Sequence, residues 1–80
     1  MEKKVALLGI LAEDAEAVSP LNELLHEYGG YIIGRMGLPY RKRQLSIISI
    51  AMDAPPEITQ ELAKKVAEIE GIRVKIVTEE

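Results

Sequence analysis

The chain has 80 residues, of which 48% are hydrophobic, and its formal net charge is −3. This length suits one compact domain spanning residues 1–80, and the mildly acidic charge disfavours general affinity for nucleic acid. The absence of cysteine excludes disulfide frameworks, zinc–thiolate sites and iron–sulfur clusters.

The chain carries no recognisable targeting or membrane signal. No apolar segment approaches the roughly 20 residues of a membrane span, and the first residues do not resemble a secretory leader. We therefore expect a cytoplasmic protein that does not enter a membrane.

Residues 5–12, VALLGILA, form a continuous apolar run, which predicts a strand buried on both faces. Glu13 and Asp14 end this run. Asp14 is a candidate N-cap, because its carboxylate can accept hydrogen bonds from the free amides of the next turn.

Residues 15–28 have the apolar spacing of an amphipathic helix, with Val18, Leu21, Leu25 and Tyr28 on one stripe. Pro20 leaves two alternatives: the helix kinks there, or its regular part begins at Ser19 with Pro20 as the first residue. Glycines 29 and 30 end the helix.

Residues 31–53 form a predicted β-hairpin around a basic, proline-containing turn. The predicted core rows are Ile32, Gly34, Met36 and Leu38 in its first strand and Ser46, Ile48, Ile50 and Met52 in its second. The opposite rows are also largely apolar, so the second strand is predicted to be buried on both faces. Gly34 and Gly37 indicate a bulge, a bend or the close approach of another backbone.

A second amphipathic helix follows, opened by Pro55 and Pro56 with Asp53 or Ala54 as its cap, and Gly71 ends it. Glu61 and Lys65 are spaced to form a favourable pair on its surface. Residues 72–78 then alternate between apolar and basic side chains, which predicts an edge or half-exposed strand.

The predicted order β-α-β-β-α-β is that of an α+β, ferredoxin-like sandwich. Right-handed crossovers place both helices on one face of a four-stranded antiparallel sheet, with the first and third strands in the middle.

The opposite face of this sheet is predicted to be uncovered and apolar, whichever rows of the central strands it carries. In the first strand the uncovered row is either Val5-Leu7-Gly9-Leu11 or Ala6-Leu8-Ile10. In the third strand it is either Leu45-Ile47-Ser49-Ala51 or Ser46-Ile48-Ile50-Met52. Because such a patch commonly marks an interface, we expect a homo-oligomer, a dimer or tetramer joined through this face or through edge strands. The alternative is a monomer whose sheet twist and long side chains shield the patch.

The candidate ligand-binding residues are Asp14, Arg35, Tyr40 and Arg41. Asp14 lies where the first strand meets the first helix, and its charge suits amino groups or cations, although capping alone also explains it. Arg35, Arg41 and their basic neighbours Lys42 and Arg43 surround the hairpin turn and are suited to phosphates or carboxylates.

The residues for other kinds of site are missing from the sequence. His26, the one histidine, cannot form a metal site within one chain, although identical subunits could each contribute one. There is neither Phe nor Trp for base stacking, so no metal, cofactor or direct nucleic-acid binding is expected. No nucleophile motif or acid–base pair predicts an enzyme.

Three stretches resemble a known family: Glu13-Asp14, LNELLHEYG at positions 21–29, and YIIGRMGLPYR at positions 31–41. They are similar to the iron-only hydrogenase system regulators, ACT-like domains related in fold to the C-terminal domain of nickel-responsive regulators. The resemblance implies an ACT-like fold, homo-oligomeric association and a role in transcriptional regulation, which here would require a partner protein.

The function expected from these observations is that of a non-enzymatic, oligomeric regulatory or sensor domain that binds a small molecule between subunits. The alternative is a protein-interaction module whose basic hairpin turn docks on an acidic partner.

Overall fold

The computed structural model describes residues 2–79. Four strands are present: β1 (Lys4–Ala12), β2 (Ile32–Tyr40), β3 (Leu45–Ala54) and β4 (Ile72–Thr78). The two α-helices are α1 (Val18–Glu27) and α2 (Pro56–Ala67), and short 3-10 turns occupy Ala15–Ala17, Gly29–Tyr31 and Arg41–Arg43. The predicted order of strands and helices is confirmed.

The four strands form one antiparallel sheet in the order β2-β3-β1-β4. The first and third strands are therefore central, as the ferredoxin-like fold requires, and β2 and β4 are the edges. In this arrangement the end of β1 lies beside the start of β3, where Ala12 pairs with Ser46.

Both helices cover the same face of this sheet. Leu8 of β1 and Ile50 of β3 are paired across the sheet, and both are 0% exposed. The helices contribute Leu21 and Leu25 from α1 and Leu62, Ala63 and Val66 from α2 to the same core. The apolar stripes that predicted the helices are thus the surfaces that pack on the sheet.

The first helix begins close to Pro20. Asp14 caps the preceding 3-10 turn, since its Oδ1 accepts a 3.0 Å hydrogen bond from the backbone N–H of Glu16. Because α1 starts at Val18, Pro20 lies in the first turn, where the helix needs no amide donor. Of the two alternatives, the structure supports a helix that begins beside Pro20, one residue before Ser19.

The predicted core row of β2 is wrong. Ile32 pairs with Met52, but Gly34 pairs with Ala51, so Ile33 is an extra residue that forms a bulge. The bulge changes which face the following residues occupy. Met36 and Leu38 consequently lie on the face without helices and are 68% and 58% exposed.

The start of the second helix also differs from the prediction. Asp53 and Ala54 are the last residues of β3, and Pro55 is the N-cap of α2. The helix ends at Ala67, four residues before Gly71, whose φ of 86° turns the chain into β4. Within residues 2–79, neither helix is long and apolar enough to cross a membrane.

Candidate functional site

The face of the sheet opposite the helices carries the rows Val5-Leu7-Gly9-Leu11 of β1 and Leu45-Ile47-Ser49-Ala51 of β3. We call this surface the open face. The large exposed apolar side chains on it, by strand, are Val5, Leu7 and Leu11 of β1, Met36, Leu38 and Tyr40 of β2, Ile47 of β3 and Val77 of β4.

The exposed parts of these side chains amount to on the order of 700 Å² of accessible surface. A typical monomer has no single apolar patch larger than about 300 to 600 Å². The charged residues of the open face lie at its margins: Arg73 and Lys75 of the edge strand β4 pair with Leu11 and Gly9, and Asp53 near the end of β3 pairs with Val5. The open face therefore has the size and composition of an interface.

An open cleft of ≈ 480 Å³ lies at the hairpin end of the sheet. Its lining includes Glu13 and Asp14 from the turn after β1, and Tyr40 and Arg41 from the end of β2. The pairing of Ala12 with Ser46 brings these two turns together, because it places the end of β1 beside the start of β3. The structure thus brings together three of the predicted site residues: Asp14, Tyr40 and Arg41.

The walls of the cleft carry opposite charges. Glu13 forms an exposed ion pair with Arg73, with 3.2 Å between Oε2 and Nε, and Asp14 uses Oδ1 to cap the 3-10 turn. The Oδ2 atom of Asp14 makes no hydrogen bond within residues 2–79. This arrangement can receive a small polar molecule, with a cationic group near Asp14 and an anionic group near Arg41.

Arg35 is the predicted site residue that does not line this cleft. It pairs with the buried Ile50, on the helix side of the sheet, and its Nη2 donates a 2.6 Å hydrogen bond to Oδ1 of Asn22 on α1. This contact attaches the edge strand β2 to the first helix. Ligand binding by Arg35 stays a prediction, made from its nearness in sequence to the hairpin turn.

A cluster of polar side chains between the two helices escaped the sequence analysis. The hydroxyl of Tyr28, at the end of α1, donates a hydrogen bond to Glu61 of α2, and Nζ of Lys65 lies 5.5 Å from the centre of the Tyr28 ring. The predicted pair of Glu61 and Lys65 is present, at 3.9 Å. The hydrogen bond to Glu61 raises the pKa of Tyr28, and burial raises it further. Helical spacing placed Tyr28 in the apolar stripe and gave no signal for its polar partner.

Among residues 2–79, no three side chains of His, Asp or Glu are grouped so that they could hold a metal ion. His26 lies exposed near the end of α1. The described part of the chain therefore offers the open face and the cleft as its candidate sites.

Comparison with known proteins assigns the chain to a family. The family model described as "TM1266-like: Iron-only hydrogenase system regulator, putative" matches residues 4–76. The structure of protein TM1266 from Thermotoga maritima is 31% identical, with a TM-score of 0.94, and the match covers 99% of this chain and 100% of that one. The search of curated proteins finds no match.

A formyltetrahydrofolate deformylase from Pseudomonas putida KT2440 shares the fold alone. It is 13% identical with a TM-score of 0.67, and the match covers 91% of this chain but 28% of the deformylase. The match of the family model to nearly the whole chain, together with the likeness to TM1266, gives the assignment: the chain belongs to the TM1266-like family of iron-only hydrogenase system regulators.

Proposed function

We propose that this chain is a non-enzymatic, homo-oligomeric regulatory domain of an iron-only hydrogenase system, in which copies associate through the open face. The observation that carries the proposal is the apolar surface of the open face, on the order of 700 Å². A standard protein–protein interface buries about 800 Å² on each partner, which is close to this value.

The exposure of individual side chains argues against the alternative of a shielded monomer. Shielding by sheet twist would leave the apolar side chains of the open face largely covered within one chain. Met36 and Leu38 instead expose more than half of their surface. Burying them between copies removes this surface from water, which is the main favourable contribution to most associations.

The proposed effector site is the cleft lined by Asp14, Tyr40 and Arg41. Two features support it: the opposite charges of its walls, and the position of Tyr40, which belongs both to the cleft and to the open face. A second copy on the open face would therefore reach the rim of the cleft. Binding of a small polar molecule there would change how two copies fit, and a partner protein would carry the effect to transcription in the cytoplasm.

A second candidate function is supported by the basic turn Arg41–Arg43. All three of its side chains are exposed, and none forms an ion pair within residues 2–79. Such a turn can attract an acidic surface of another protein. In this version the chain is an interaction module, and the cleft is part of its docking surface.

A thermal-shift screen separates the two candidates. Amino acids, nucleotides, divalent metals and an acidic peptide are added to the protein, and to variants Arg41→Ala and Lys42→Ala. A specific rise of several degrees with one small molecule, lost in Arg41→Ala and retained in Lys42→Ala, is the result expected for the effector site. A response to the acidic peptide alone, weakened by both variants, favours the docking module and contradicts the effector site.

A further inference from the structure

The centre of the open face contains a glycine that nothing within the chain requires. Gly9 lies in the middle of the central strand β1 and lacks the positive φ that favours glycine. A Cβ added to it would meet, within 4 Å, only the carbonyl oxygen of Lys75 at 4.0 Å, which is ordinary contact. Glycine inside a strand lowers stability, because it loses more conformational freedom on folding and has no side chain to pack.

The neighbours of Gly9 make its position a trough. Gly9 pairs with Ser49, so the two central strands carry minimal side chains in this row. On one side the adjacent row is Leu7 with Ala51, and on the other it is Leu11 with Ile47. In the two central strands the open face thus has a pair of small residues beside a ridge formed by Leu11 and Ile47. Met36 of β2 and Lys75 of β4 flank this pair in the same row and form the two ends of the trough.

We propose that the trough of Gly9 and Ser49 receives the ridge of Leu11 and Ile47 from a second copy of this chain. This inference rests on the proposed function, since it names the contact through which the copies associate. In a two-fold dimer each copy presents the same surface, so ridge and trough must both lie on it. Here the ridge and the trough are adjacent rows, about 7 Å apart along the strands. A two-fold axis midway between these rows places the ridge of each copy over the trough of the other.

A second copy fits this surface better than an unrelated partner for two reasons. The surface contains both halves of the contact, and its exposed apolar area is close to the about 800 Å² that each partner of a standard interface buries. Packed sheets lie about 10 Å apart with interdigitating side chains, so the place where the central strands carry only Gly9 and Ser49 is where a ridge can enter.

Two matched variants test the contact by sedimentation velocity over a range of micromolar concentrations. Gly9→Val fills the trough. Gly37→Val is the control: Gly37 lies in β2, pairs with Ile48 on the helix side, and has nothing within 4 Å of an added Cβ. We expect the wild type and Gly37→Val to form the same oligomer, and Gly9→Val to associate roughly tenfold or more weakly, because its side chain occupies the space of the ridge.

Ser49→Val is a second variant, which fills the other half of the trough and carries the test if Gly9→Val does not fold. Circular dichroism checks the fold of each variant. If the wild type is oligomeric and both filled variants associate as tightly as the wild type, the ridge-and-trough contact is wrong and the proposed oligomer forms elsewhere. If the wild type is a monomer, both the contact and the oligomeric function are contradicted.

Discussion

The backbone N–H of Glu13 donates a 2.7 Å hydrogen bond to the carbonyl oxygen of Gly71. This bond connects the turn after β1, which forms the acidic wall of the cleft, to the turn that leads from α2 into β4. The two turns also touch through Asp14: a Cβ added to Gly71 would lie 2.9 Å from the Cβ of Asp14. Gly71 therefore positions the acidic wall.

Replacing Gly71 by alanine should destabilise the protein by about 2 to 4 kcal/mol, because alanine is strained at positive φ and its Cβ crowds Asp14. The free energy of unfolding in urea measures the effect. Gly30→Ala is the matched control, since nothing lies within 4 Å of its added Cβ, and it should change stability by less than about 1 kcal/mol. Equal effects of the two variants would contradict the role given to Gly71.

The hydrogen bond from Tyr28 to Glu61 should make stability fall at alkaline pH. The pKa of Tyr28 is higher in the folded state than its ordinary value of about 10. The hydrogen bond therefore makes its full contribution to the free energy of unfolding below about pH 10. As pH rises further, the unfolded chain releases the Tyr28 proton first, and stability declines until the folded state also ionises.

Tyr28→Phe should lower stability at neutral pH by about 1 kcal/mol, the usual size of a lost hydrogen bond. The difference between wild type and variant should then shrink above about pH 10. Urea unfolding at a series of pH values measures both effects. In the control Glu61→Gln, which lacks the negative charge, stability should decline less steeply at alkaline pH. If the difference in stability between wild type and Tyr28→Phe stays constant as pH rises, the role given to the Tyr28 hydrogen bond is wrong.

Arg35 and Arg41 should behave differently although both are arginines of the hairpin region. Arg41 lines the cleft, whereas Arg35 donates to Asn22. Once the screen has identified a small molecule, Arg41→Ala should abolish its thermal shift and Arg35→Ala should retain it. Arg35→Ala should cost less than about 1 kcal/mol of stability, since its hydrogen bond is exposed. If Arg35→Ala loses the thermal shift and Arg41→Ala keeps it, then Arg35 binds the small molecule and Arg41 does not.

A charge on the open face should separate the copies without unfolding them. In Leu38→Glu the carboxylate points to water in a single chain, where Leu38 is already exposed, but it would be buried unpaired between two copies. We expect a monomer by light scattering, with an unchanged circular dichroism spectrum. Gln60→Glu adds the same charge on the exposed surface of α2 and should leave the oligomer intact; dissociation of both variants would point to general charge repulsion.

Much of the fold could be predicted from the sequence because its periodicities are strong. The stripes of α1 and α2 and the alternation of β4 agree with the structure, and the hairpin turn occupies the predicted basic residues Arg41–Arg43. Pro39, predicted to lie in that turn, instead belongs to β2 and pairs with Ser46. The side on which β1 is covered could not be predicted, since Ala6, Leu8 and Ile10 are as apolar as Val5, Leu7 and Leu11. Only packing against both helices distinguishes these two rows.

The errors arose where one residue changes the register. Gly34 is consistent with a bulge, but periodicity alone does not show that Ile33 is the extra residue, so it predicts the wrong face for Met36 and Leu38. The cleft was predicted in part: Asp14, Tyr40 and Arg41 follow from turns that the topology brings together. The position of Arg35 depends on the same shift in register, which turns its side chain towards Asn22.

The solution mass of the wild-type chain tests the central claim most directly. Size-exclusion chromatography with multi-angle light scattering, at micromolar concentration, compares the measured mass with the 8.9 kDa of one chain. Association through the open face predicts a mass at least twice that value, which falls to a single chain in Leu38→Glu. A wild-type mass of 8.9 kDa across the concentration range would contradict the account.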